Sequence, residues 1–269
     1  MLKDITIGQF LPVESAVHRL DPRTKIIFVL AFIIAVFMVE SLVSYALIAL
    51  FLVIAVRLSK IPFKMIGKSL KPILFFIIIT ALINLFMTDG RILLKWGFLK
   101  VTYEGVIMTV KMSLRLIFLV TGTSILTYTT SPIVLTDGIE TLMRPLTKIK
   151  VPSHEIAMMM TIALRFIPTI IDETDKIMKA QSARGSDFET GSLMKRAKAL
   201  IPILVPLFIS AFRRADDLAV AMECRCYRGG ENRTKMNSLK FKKSDFAGFL
   251  IGIIFFAAVL VINHFTRIA

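Results

Sequence analysis

Apolar residues arrive in blocks along this chain. Every position from Ile26 to Val39 is apolar; Glu40 and Ser41 interrupt, and a second block runs from Leu42 to Val56. Further blocks occupy Pro72 to Met87, Gly105 to Tyr128 and Phe246 to Ile262. Such runs predict membrane-spanning helices, the first two forming a tight hairpin. The shorter ones fall below the length that crosses a hydrocarbon core of about 30 Å, so they must extend into the interface or sit in a locally thinned bilayer. The first helix has a start signal. Asp21 can cap its free amides, and Pro22 at the first helical position forfeits no hydrogen bond.

Residues 131 to 244 follow another pattern, helical periodicity with 19 Lys/Arg and 12 Asp/Glu. One long helix is expected after Pro152, with Ser153 as its cap and Ile156, Met159, Ala163, Ile167, Ile170 and Ile177 along one side. A second is expected from Ser192 to about Cys224, with Leu200, Leu204, Phe208, Ala211, Ala215, Leu218 and Met222 along its side. Pro168 in the first and Pro202 and Pro206 in the second are candidate hinges, since proline removes a ladder hydrogen bond and bends a helix. The prediction is an all-α membrane protein. About five transmembrane helices accompany a cytosolic domain of long, crossed amphipathic helices. The organisation expected is 1–130, 131–244 and 245–269.

Composition supports the membrane class: 269 residues, 55% apolar, mean hydropathy +0.73. The net charge of +15 would suggest nucleic acid in a soluble protein. Here no basic stripe is interleaved with stacking aromatics, and the cations concentrate in particular loops. With the N-terminus inside, segments 1–25, 57–71 and 131–244 hold 28 of the 34 Lys/Arg. That bias sets the orientation. Trp96 and Tyr103 suit the outer interface. The rival topology makes Ile156–Ile171 and Ala199–Phe212 extra spans; it moves Lys176, Lys179, Arg184, Lys195, Arg196 and Lys198 outside, against the bias. Lys111 and Arg115 lie on one face of the fourth span, where charge should meet protein or water. No cleavable signal is expected, because the first 25 residues lack an apolar core.

Several chemistries are disfavoured. No G-x-x-x-x-G-K-[ST] loop is present, so no phosphate cradle of that kind is expected. His154-Glu155 lacks a second histidine four positions on. Asp172, Glu173, Asp175 and Asp216-Asp217 do not make a diphosphate-binding pattern of a prenyl or phosphatidyl transferase. A stand-alone secondary transporter would show internal repeats. Cys224 and Cys226 supply too few thiolates for a zinc site, and a structural disulfide is not expected in a reducing compartment. No cofactor or metal is expected.

Each long helix finishes in a short motif centred on an arginine: Ala183-Arg184-Gly185 and Cys224-Arg225-Cys226. A guanidinium offers a rigid fork of donors for a carboxylate and sits well at the negative end of a helix dipole. With His18-Arg19-Leu20-Asp21-Pro22-Arg23 near the start, Ala180 to Gly185, and Ala221 to Gly230, the chain resembles the transmembrane T subunits of energy-coupling-factor (ECF) transporters over nearly its whole length. The resemblance implies a non-catalytic subunit of a cell-membrane importer for vitamins or metals. It implies two ATP-binding-cassette ATPases, identical or different, and a small substrate-binding membrane subunit as partners. It assigns Arg184 and Arg225 to grooves on the ATPases, with Arg228 as a further contact. Cys224 and Cys226 stand where the family more usually has Ala and Gly.

Overall fold

A computed structural model describes residues 10–96, 99–186, 188, 192–229 and 239–268. The side chain of Trp96, and Gly230, lie outside what is described. Among the described residues two compact units emerge, one of 10–141 with 239–268 and one within 142–229.

In the first unit, all five apolar blocks are helices: α1 (Pro22–Met38), α2 (Leu42–Leu58), α4 (Leu74–Met87), α5 (Tyr103–Thr129) and α9 (Lys243–Ile268). The basic loop before α4 contains a short amphipathic helix, α3 (Phe63–Leu70). Two elements were not anticipated: a hairpin of β1 (Ile92–Trp96) and β2 (Leu99–Thr102), and α6 (Pro132–Met143). Helix α5 is central, touching α1, α2, α3 and α4, while α9 packs on α1 and α2. The core joins Phe32, Val36 and Val39 of the first hairpin arm to Tyr45, Ile48 and Leu52 of the second, with Phe118 and Val259. Small residues allow this closeness: a Cβ built on Gly122 would meet the Phe32 ring at 2.5 Å. Outward positions such as Leu30, Ile34, Leu50, Phe75 and Ile254 are large, apolar and exposed, the inverse of a water-facing surface.

By length and composition α5, α7 (Ser153–Ala183) and α9 can each cross a membrane, and α3 with α4, bent by 61°, can make a fourth crossing. At 17 residues, α1 and α2 are each about 25 Å long, short of a full core. Together these features make the protein an all-α membrane protein.

The start of α1 is tied down more firmly than a simple cap requires. The Asp21 carboxylate accepts from the Arg23 amide at 2.9 Å and from its guanidinium at 3.0 and 2.8 Å. The Asp21 amide donates to the buried Asp245 carboxylate of α9 at 2.7 Å, which also accepts from the Lys242 amide. Arg23 lies over the Phe241 ring. Lys25, also buried, donates to the carbonyls of His18 and Thr129 and to the Thr130 hydroxyl. The chain's polar start thus fastens the ends of α1, α5 and α9. At the other end of α1, Arg115 donates to the Val39 carbonyl at 3.1 Å, so this charge within α5 caps a helix C-terminus.

In the second unit, a 3-10 turn (Arg144–Ile149) precedes α7, and α8 spans Leu193–Cys224. Ser192 caps α8, accepting from the Lys195 amide. Ser153 does not cap α7; it is the first helical residue, and Pro152 occupies the cap position without a side-chain bond. Both helices run unbroken through Pro168, Pro202 and Pro206.

Candidate functional site

Three contacts fix how α7 and α8 lie. The Gln181 amide donates to the Pro202 carbonyl at 3.4 Å, Glu173 pairs with Arg214 at 2.8 Å, and Met158 and Ile162 share a groove with Leu218 and Met222. Late residues of one helix meet early residues of the other, so the pair is antiparallel. The two C-terminal ends therefore stand at opposite ends of it. Met158 and Gln181 alone are separated by roughly 35 Å of helix.

Both ends close in the same way. At the first, Ser186 N–H donates to Gln181 O at 3.0 Å and Gly185 N–H to Ser182 O at 2.9 Å. At the second, Tyr227 N–H donates to Met222 O at 3.0 Å and Cys226 N–H to Glu223 O at 2.8 Å. Each set is a Schellman motif, which satisfies the last carbonyls and needs a left-handed residue just past the cap. Gly185 supplies it with φ 90° and Cys226 with φ 55°. Arg184 and Arg225 are the caps themselves. Ala183, Arg184, Gly185, Cys224, Arg225, Cys226 and Arg228 are all exposed. Each arginine thus sits, exposed, where its helix ends.

The second tip has a recess of about 460 Å³, lined by Met158, Ile162, Leu218 and Met222 and by the turn from Arg225 to Gly229. Methionine suits such a surface because it repacks easily.

The prolines have a specific consequence. Pro206 has no N–H, so the Pro202 carbonyl loses its partner in the helix ladder. Gln181 provides one from the neighbouring helix. No periodicity argument identifies Gln181, though a Pro-x-x-x-Pro spacing signals the vacant carbonyl. Along α8 the expected apolar side is largely uncovered: Leu200, Leu204 and Phe208 are exposed, together with Ile201, Val205, Ile209 and Phe212. Among the described side chains of α8, Ile203 is the buried one.

The profile of a family described as "Cobalt transport protein" (CbiQ) matches residues 13–236. The chain is 59% identical over 256 residues to the energy-coupling factor transporter transmembrane protein EcfT of Clostridium kluyveri, covering 94% of this chain and 95% of that one. Identity is 54% over 264 residues to the protein of that name from Ruminiclostridium cellulolyticum, covering 98% and 99%. With the Bacillus subtilis protein it is 48% over 261 residues, covering 97% and 98%. The chain belongs to the CbiQ/EcfT family. As a family member it is a transmembrane component of an ECF transporter, which functions with other subunits. The family match includes both arginine tips and the whole of α7 and α8.

Proposed function

We propose that this family member is the coupling subunit of an ECF importer in the cell membrane. It transmits the ATP-driven closure of two cytosolic ATPases to a small substrate-binding membrane subunit, for uptake of a vitamin or similar micronutrient. Hydrolysis belongs to the partners, and this chain catalyses nothing. The observation that carries the reading is the pair of matching caps, each presenting one arginine at opposite ends of an antiparallel pair. A single arginine-tipped helix could report where one ATPase is; two can report the distance between them.

Closure of the ATPases draws their grooves together and shortens the distance between Arg184 and Arg225. Helices do not compress, so α7 and α8 must slide, tilt or bend. Pro168, Pro202 and Pro206 are the points of least resistance, because each leaves a carbonyl without its ladder partner. The exposed strip from Leu200 to Phe212 moves with α8 and passes the displacement to whatever apolar surface rests on it. In this orientation the N-terminus and residues 131–244 are cytosolic, as the cation bias requires.

The test uses Arg184→Ala and Arg225→Glu in the full complex. Both variants should insert normally, yet lose about ten-fold or more in ATPase assembly or substrate uptake, the scale of one charge-assisted contact. Wild-type assembly and uptake in both would overturn the assignment.

A further inference from the structure

The basic belt around α3 has no role in the coupling scheme. From Ser41 to Thr88 the chain contains no acid, and its five cations, Arg57, Lys60, Lys64, Lys68 and Lys71, fall between residues 57 and 71. All five are exposed, and among the described residues none pairs with a carboxylate. Lys64 and Lys68 stand one turn apart on α3, and Lys60 and Lys71 flank its ends. Repulsion among them favours dispersal, so something must hold the segment in place.

The other side of α3 shows what does. Ile61 and Ile66 are buried with Val56 and Tyr128, and Met65 and Leu70 pack on them. Ser69 Oγ and Tyr128 Oη are 2.5 Å apart, and Tyr128 donates to the Met65 carbonyl at 3.2 Å. The helix is a fixed shelf, turned 61° from α4. Around the corner the cations alternate with exposed apolar side chains, Leu58, Phe63, Leu74 and Phe75. An acidic protein surface would match the charge but would leave four large apolar groups against carboxylates. A phospholipid matches both, with its phosphate among the ammonium groups and its acyl chains on the apolar ones.

We infer that the corner between α3 and α4 is a binding site for an anionic phospholipid, its phosphate held by Lys64 and Lys68 with Lys60 and Lys71 at the margins. The inference rests on membrane embedding and not on ATPase coupling. It gives the corner a fixed depth at the inner leaflet, against which the rest of the protein can move.

The test is native mass spectrometry of the full-length protein, offered phosphatidylglycerol, phosphatidylcholine or inorganic phosphate separately. The wild type should retain phosphatidylglycerol preferentially. The K64Q/K68Q pair should reduce that retention by about five-fold or more, on the scale expected per lysine at an anionic surface. K64R/K68R should keep it, Arg91→Gln should not change it, and phosphatidylcholine binding should be equal in all forms. Equal retention of the two lipids by the wild type, or full retention by K64Q/K68Q, would overturn the inference. So would complete competition by inorganic phosphate, which would make the ligand a free anion. Loss of ATPase binding by K64Q/K68Q in purely zwitterionic membranes would point to a protein partner and would equally sink it.

Discussion

Gly185 and Cys226 hold the same position in two copies of one helix-ending motif, with φ 90° and 55°. Only the first is suited to it. A side chain in the left-handed region costs about 1–2 kcal/mol, whereas glycine enters freely and loses about 0.5–1 kcal/mol of chain entropy. Cys226→Gly should therefore firm the second tip by about 0.5 kcal/mol, seen as roughly two-fold slower amide exchange at Tyr227. Gly185→Ala should loosen the first tip, with faster exchange at Ser186. Faster exchange in both variants would show that the shared cap does not govern the tips.

Gln181 offers a way to separate docking from transmission. Its amide reaches the carbonyl that Pro206 deprives of a ladder partner, linking the end of α7 to the Pro202–Pro206 stretch of α8. Gln181→Leu removes the donor and keeps the size and helix preference. Uptake should fall several-fold while the ATPases still co-purify. For Arg184→Ala, both should fall. If Gln181→Leu changes neither quantity, or changes both equally, the link carries no signal.

The buried carboxylate of Asp245 accepts from the amides of Asp21 and Lys242. Asp245→Ala leaves those donors unmatched and should cost about 3 kcal/mol, lowering Tm in detergent and opening the start of α9 to protease. Asp21 adds a pH dependence. Burial pushes its carboxyl up, but the bonds from Arg23 outweigh this and hold it below its ordinary value. The stability it contributes is therefore present at neutral pH and lost as pH falls through the lowered pKa, below about pH 4. The Asp21→Asn variant should lose that part of the acid dependence. An unchanged acid profile would assign the sensitivity to other groups.

The helices of this fold were legible because their cause is local. Continuous apolar runs, the Asp21-Pro22 start and the start at Ser192 each act within a few residues, and the structure has helix boundaries there, although Ser153 is not the cap that was expected. Cys224 ends α8 where the sequence placed its end. The ties between distant segments were not legible. Asp21 and Asp245 are 224 positions apart, and no periodicity links them. Helix α6 and the hairpin before α5 are short and mixed in character, so neither period dominates. The antiparallel contacts of α7 and α8 also escaped, because an amphipathic stripe shows that a face needs a partner but not which residues meet.

Phe32 and Gly122 test how closely α1 must approach α5. A methyl group at position 122 would fall 2.5 Å from the ring, too close to coexist with it. Gly122→Val should cost about 1–3 kcal/mol through overpacking, read as a lower Tm in detergent. Phe32→Leu in the same chain should recover part of the loss by removing the obstructing edge. No recovery would mean that the close approach is not what position 122 protects.

The orientation of α7 is open to a direct test. Its length and composition allow it to cross a bilayer. A crossing there would carry Lys176, Lys179, Arg184, Lys195, Arg196 and Lys198 to the outer side, in conflict with the cation bias of every other segment. It would also place Arg165 and Glu173 at membrane depth, where charge is costly. A helix lying along the inner interface would keep its apolar side in contact with lipid or protein and its cations in the cytosol. Cys224 and Cys226 are the only cysteines, so replacing both gives a background for a single Lys179→Cys probe. In intact cells this probe should react with a membrane-permeant maleimide and be unaffected by an impermeant one. Labelling by the impermeant reagent would place the first arginine tip outside, beyond reach of any cytosolic ATPase.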